Sequence, residues 1–184
     1  MQAEVIVIRR SPAREYDQVI TCYSPDLGKF SAIAKGALRR GSVQAMALDD
    51  GNLVHCQLEP GRTSLPIITG AQSQRCWSAI KGDLHRWAIA QCFLQVIDAI
   101  VFDDQPDTGL WTALLGSLQR LEAMEHPMIV LRNGQAALLK ALGYGDQSVG
   151  SSRPGRTSMD DLFERIAQRR LMSIDLAYAL AVRA

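Results

Sequence analysis

The sequence predicts an α+β chain, with a five-stranded barrel over residues 1–75 followed by an α-helical domain over 76–184. Three observations carry this. Through residue 75 apolar residues recur in five short strand-like runs, and beyond Trp77 the period lengthens to that of a helix. Turn residues, Ser24-Pro25-Asp26 and Glu59-Pro60-Gly61, separate the runs. With 184 residues, 47% hydrophobic and 21% charged, the chain can bury one sizeable core or two small ones, and it resembles neither a disordered nor a membrane-spanning composition. No apolar run approaches the ~18–20 residues needed to cross a bilayer.

The first run, Glu4–Arg10, is apolar nearly throughout, as a strand buried in a closed barrel can be. Asp17–Ser24 is rich in Val, Ile, Thr and Tyr. Gly28–Lys35 alternates, with Phe30, Ala32 and Ala34 on one face and Lys29, Ser31 and Lys35 on the other. Asn52–Glu59 turns Val54, Cys56 and Leu58 inward, and Leu65–Ser73 is the fifth run. A longer connection, Leu38–Asp50, separates the third and fourth, which is the layout of an OB-type barrel. Past Trp77, Ile89, Cys92, Phe93, Val96, Ile97 and Ile100 make one stripe of a long central helix, widened by Leu84, Trp87 and Leu94. Trp111, Leu114, Leu118 and Leu121 mark a second helix that starts at Asp107 or Thr108. Pro127 opens a third, Gly143 ends it in left-handed conformation, and Gly134 within it marks a close helix–helix approach. Gly145–Thr157 reads as a flexible Ser/Gly/Arg linker; Ser158 with Asp161 caps a fourth helix, and Ser173 a fifth.

The chemistry is concentrated in Gly28–Gly41, which carries Lys29, Lys35, Arg39 and Arg40 with no acid between Asp26 and Asp49. Because the formal net charge is only +1, these cations are a local feature rather than a basic composition. Such a run is either a solvated charged face or a strip that neutralises a polyanion backbone. Nothing points to catalysis: no nucleophile elbow, zinc-protease motif or phosphate-binding Gly-rich loop occurs. His55, His85 and His126 share no metal-type spacing, and Cys56 lies on the opposite strand face from His55, so the two cannot act as nucleophile and base. The four cysteines, Cys22, Cys56, Cys76 and Cys92, form no Cys-x-x-Cys pair, as suits buried thiols in a reducing cytoplasm. No signal-peptide layout opens the chain, and no metal or other cofactor is expected.

Over roughly residues 1–144 the chain resembles RecO, the bacterial family of recombination mediators. The resemblance rests on Val5–Arg10, Glu15-Tyr16-Asp17, Leu27-Gly28-Lys29, Ala34-Lys35-Gly36-Ala37-Leu38-Arg39-Arg40, the Asp83–Ile100 helix and the Leu138–Tyr144 ending. It implies an OB fold, a helical domain, binding of single- and double-stranded DNA, and annealing of complementary strands. It also implies two partners, RecR and the C-terminal tail of single-stranded DNA-binding protein, and a place near the bacterial nucleoid during repair. Two departures stand out: the four-cysteine zinc motif of many members is replaced by Gly145–Thr157, and the C-terminal region is short. Gln18 stands where a cation is common.

On this reading Lys35, Arg39 and Arg40 contact phosphates, Lys29 joins them from the same strand face, and Arg9, Arg10 and Arg14 extend the patch against Glu4, Glu15 and Asp17. Tyr16 is the one candidate base platform beside Tyr23 and the inward Phe30, so binding should grip the backbone rather than read bases. Arg132 on the third helix is the candidate cation for an acidic partner tail, and Arg153 and Arg156 add charge in the linker. A protein–protein adaptor with little DNA affinity stands as the competing reading.

Overall fold

The alternating runs form strands because each can bury one face. In a computed structural model of the chain, which describes residues 1–62, 64–123, 125–145, 158–168 and 171–181, β1 (Gln2–Pro12), β2 (Gln18–Ser24), β3 (Gly28–Ala34), β4 (Leu53–Glu59) and β5 (Ile67–Arg75) close in the order β1-β2-β3-β5-β4. All pairings are antiparallel except β3 with β5, where Ile33 and Ala34 run parallel to Ile67 and Ile68. This is the OB-type topology. Val5, Val7, Ile20, Cys22, Phe30, Ala32, Ala34, Val54, Cys56, Leu58 and Ile68 fill the interior, which matches the alternation in β3 and β4. Val5–Ile8 of β1 is an unbroken apolar run because Ile6 and Ile8, on its other face, are buried as well. A register shift between Val7 and Arg9 bends the strand there.

The connection before β4 is not all loop: Val43–Ala47 forms the short helix α1, followed by Leu48, which is fully buried in the barrel core. Asn52 Nδ2 donates to the carbonyls of Met46 (3.2 Å) and Ala47 (3.0 Å), satisfying orphan groups at the end of α1. Five residues carry too little periodicity to reveal a helix in sequence.

The chain divides into two compact units. One joins Met1–Cys76 to Val101–Thr108; the other holds Trp77–Ile100 and the described residues from Gly109 onward. Within the first, Val101–Thr108 crosses the β2–β3 hairpin. Asp104 N–H donates to the Lys29 carbonyl (2.9 Å), and Tyr23 Oη donates to the Asp107 carbonyl (3.1 Å). Gly28 sits at φ +72° where an added Cβ would overlap the Gln105 backbone, so this turn needs glycine for two reasons.

In the second unit α3 (Leu84–Ile100) is the long helix expected over Asp83–Ile100, and a short helix, α2 (Ser78–Gly82), precedes it; Asp83 Oδ1 caps α3 by accepting the Arg86 N–H (2.9 Å). α3 is buried from Ala88 to Ile97 apart from Gln91 and Gln95. α4 (Thr108–Glu122) and α5 (Pro127–Ala141) follow, and Gly143 ends α5 at φ +83°. Gly134 is indeed a contact point: a Cβ there would lie 2.5 Å from Phe93 Cζ and 2.6 Å from Ser117 Oγ. α6 (Ser158–Ala167) and α7 (Met172–Ala181) complete the unit. Ser173 does not cap α7. It lies inside the first turn, where its hydroxyl donates to Gln95 Oε1 (2.8 Å). The linker expected over Gly145–Thr157 falls outside the described residues beyond Gly145, as do Arg153 and Arg156.

Candidate nucleic-acid interface

One end of the barrel gathers the two motifs that sequence keeps apart. The β1–β2 turn is folded by Asp17, whose carbonyl accepts the Ala13 N–H (3.0 Å) while its carboxylate Oδ1 accepts the Gly36 N–H (2.8 Å). The Leu38 N–H donates to the Tyr16 carbonyl (3.0 Å), so the chain leaving β3 is laid against the β1–β2 turn. Gly36 at φ +66° allows the reversal, and the Arg39 N–H closes it on the Gly36 carbonyl (3.0 Å). This brings the Arg39 guanidinium 5.4 Å from the centroid of the exposed Tyr16 ring, a cation–π contact. A hydrogen bond with Glu15, more than burial, holds the Tyr16 phenol above its ordinary pKa.

Beside this turn opens a groove of about 470 Å³ lined by Arg14, Asp17, Ile33, Lys35, Arg62 and Ile67, among others. Its cations come from the β1–β2 turn, the end of β3 and the β4–β5 connection. Arg62 is a contributor that sequence reading passes over; its signal was the Gly61-Arg62 pair in a barrel loop. Gly61 lets that loop fold tightly, since an added Cβ would overlap the Leu65 carbonyl oxygen. Arg14, Lys35, Arg39, Arg40 and Arg62 are all exposed. Among the described residues none has a carboxylate within ion-pair distance. Loops of this kind on a five-stranded OB barrel suit a polyanion, because cations without carboxylate partners give up little when a phosphate replaces water.

The other expected cations are placed differently. Lys29 is largely covered and pairs with Asp103 (3.4 Å) in the crossing segment. Arg10 bridges Asp49 (2.6 Å) and Asp50 (2.9 Å), tying β1 to the turn before β4. Arg9 is exposed and its Nη1 donates to Ser11 Oγ (2.6 Å). The basic run therefore splits into a structural part and an exposed part, a distinction that requires contacts between residues 39 or more positions apart. Gln18 is buried.

Tyr23 and Phe30 are buried, so Tyr16 is the exposed aromatic of the barrel. Cys22 and Cys56 lie in the barrel core, where burial pushes the Cys56 thiol up to about 11 and raises the Cys22 thiol well above its ordinary value, which keeps both protonated. Arg132 is exposed on α5. Among the described residues no group of three or more His, Cys, Asp or Glu side chains is placed to hold a metal ion. The four-cysteine zinc motif does not fit this chain, because its cysteines stand at 22, 56, 76 and 92 and none follows Tyr144.

Residues 1–76 match the family model described as Recombination protein O N terminal, and residues 81–171 match Recombination protein O C terminal. The chain belongs to the RecO family. Curated RecO-family relatives include the DNA repair protein RecO of Roseiflexus sp. (strain RS-1), 31% identical over 146 residues that make up 79% of this chain and 51% of the relative. That of Moorella thermoacetica is 30% identical over 145 residues, 77% of this chain and 52% of the relative. That of Frankia casuarinae is 31% identical over 147 residues, 77% and 59% respectively. The chain thus spans about half the length of the first two RecO relatives. The turn at Glu15–Asp17 and the basic loop, two of the segments that mark the RecO resemblance, are folded together at one barrel end. No helix among the described residues is long and apolar enough to cross a membrane.

Proposed function

We propose that this chain acts in DNA repair and recombination as a non-enzymatic mediator. It binds single- and double-stranded DNA through the barrel end that carries Arg14, Lys35, Arg39, Arg40 and Arg62. The observation that supports this reading is the convergence of exposed Arg14, Lys35 and Arg62 on one groove, with Arg39 on the adjoining Tyr16 ring, none of them with a carboxylate partner among the described residues. Contacts of this kind follow the phosphate backbone irrespective of sequence. Annealing follows from the same charge: neutralising both backbones lowers the repulsion that keeps complementary strands apart. In the family's setting the chain works at gaps coated by single-stranded DNA-binding protein and helps load the recombinase there. RecR and that protein's C-terminal tail are its partners, with Arg132 on the exposed side of α5 offering a cation to the acidic tail.

Replacing both Lys35→Glu and Arg39→Glu reverses charge at two points of the patch without touching the core. Gel shifts at about 50 mM salt with single-stranded oligonucleotides should show affinity falling at least about tenfold. For the native chain, four or five phosphate contacts imply a slope of about −3 in log affinity against log salt on a single strand. Unchanged binding by the double variant overturns the assignment of the patch. The adaptor reading draws on one observation, that Arg10 and Lys29 spend their charge on internal carboxylates. A flat salt dependence together with intact RecR and tail binding would favour it.

A further inference from the structure

The groove beside the β1–β2 turn holds more than charge. On the outer face of the barrel Ile33 and Ile67 are paired across the parallel β3–β5 ladder, and both are only partly buried. The Ile33 N–H is also bound to the Pro66 carbonyl (2.8 Å), which fixes the approach of the β4–β5 connection to β3. Alternation along β3 puts Ile33 between Ser31 and Lys35 on the face that sequence assigns to polar groups. Two aliphatic side chains therefore form the strand-borne floor of a groove whose other parts are Arg14, Lys35 and Arg62. Asp17 lines it too, with its Oδ1 engaged by the Gly36 N–H.

We propose that this groove seats one unstacked base of a single strand on Ile33 and Ile67, with the flanking phosphates held by Arg14 and Lys35 on one side and Arg62 on the other. The inference deepens the DNA-binding reading and rests on it. A groove of about 470 Å³ has room for a nucleobase. The three cations around an apolar floor are complementary to a nucleotide, which presents an apolar π-face and an anionic linkage. An aliphatic floor offers no hydrogen bonds, so every base fits and binding remains indifferent to sequence. A paired base cannot reach the floor without leaving its stack, so the groove distinguishes single strand from duplex while the surrounding cations do not.

The test compares the full chain with Ile67→Thr and, separately, Arg62→Glu. Unlabelled single-stranded and duplex oligodeoxynucleotides of equal length serve as ligands, and circular dichroism checks folding. Ile67→Thr should weaken single-strand binding about four- to fifteenfold with duplex binding unchanged, the loss expected for about one to two methylenes of apolar contact. Arg62→Glu, on an exposed loop, should weaken both. A single-stranded oligonucleotide carrying 2-aminopurine should brighten on saturation with the native chain, as an unstacked fluorophore does, and brighten less with Ile67→Thr. Should Ile67→Thr fail to fold, the 2-aminopurine signal of the native chain against Arg62→Glu carries the test. Equal single-strand and duplex loss in a folded Ile67→Thr variant, or no brightening at saturation, overturns the base seat. So does displacement of the oligonucleotide by an acidic peptide at comparable charge concentration. Failure of the base seat leaves the Lys35→Glu/Arg39→Glu loss standing, whereas failure of the patch itself removes that loss as well.

Discussion

The barrel unit and the helical unit use their polar side chains in opposite ways. In the helical unit the half-buried and buried ones are spent on the backbone and on each other. Arg86 Nη1 donates to the carbonyls of Leu121 (2.8 Å) and Glu125 (3.0 Å), closing the end of α4. Glu122 accepts the N–H groups of Ala79 (3.2 Å) and Ile80 (3.1 Å) at the start of α2. Buried Asp160 joins Gln135 (2.6 Å) to Tyr178 (2.8 Å), linking α5, α6 and α7. In the barrel, Lys29 and Arg10 are used in the same manner, yet Arg14, Lys35, Arg39, Arg40 and Arg62 are held on ordered turns facing water. A charge that pairs inside the fold supports that fold, whereas a charge positioned by backbone hydrogen bonds and left exposed is available to a ligand. Substitutions in the two units should therefore separate stability from DNA affinity.

The sharpest separation comes from Gly134→Val. Its branched side chain would enter space occupied by Phe93 and Ser117, both buried and unable to move aside, so unfolding by urea should show a loss of about 3 kcal/mol. At a temperature where the variant remains folded, oligonucleotide binding should equal that of the native chain. Loss of binding by folded protein would break the division of labour. Arg86→Met should cost less, about 2 kcal/mol in the same measurement, for two opposing reasons. It removes the donors to Leu121 and Glu125, but it also removes Arg86 Nε, which has no hydrogen-bond partner among the described residues. Arg86→Lys, which keeps one donor group, should recover part of the loss; no recovery would mean that packing of the aliphatic stem, rather than carbonyl capping, explains the position.

What was legible beforehand follows from the range of the interactions. Val54, Cys56 and Leu58 reveal β4, and Phe30, Ala32 and Ala34 reveal β3, because alternation is written in neighbouring residues. Pro127 and Gly143 reveal the ends of α5 for the same local reason. The base of the patch was readable in Lys35, Arg39 and Arg40 since no acid stands nearby in the chain. What pairs with Arg10 is 39 and 40 residues away, and what covers Lys29 is 74 residues away, so neither could be told from an exposed cation. Helix α1 is too short to show a period, and its end is satisfied by Asn52, outside it, rather than by its own residues. Arg62 went unmarked because only the fold brings the β4–β5 loop beside Lys35.

The smallest expected effect tests whether Val101–Thr108 is part of the barrel in solution. Tyr23 is fully buried and donates its hydroxyl to the Asp107 carbonyl; burial, with the Asp107 charge adding to it and the hydrogen bond opposing, pushes its pKa to about 12 from 10.0. The folded state favours the neutral phenol, so its contribution is fully present below about pH 10 and is lost as pH rises through about 12. Tyr23→Phe keeps the ring and discards both the hydrogen bond and the titration. At about pH 7 the native chain should be the more stable by about 1 kcal/mol in urea unfolding. That advantage should shrink near pH 11 and then reverse, because only the native chain must bury or expel a phenolate. Lysines also lose charge in that range, but they do so in both proteins and cancel in the difference. A stability gap that stays constant from neutral to alkaline pH would mean that the Tyr23 hydroxyl reaches water. In that case the crossing segment would stand clear of the hairpin, and Lys29 would join the exposed cations of the barrel.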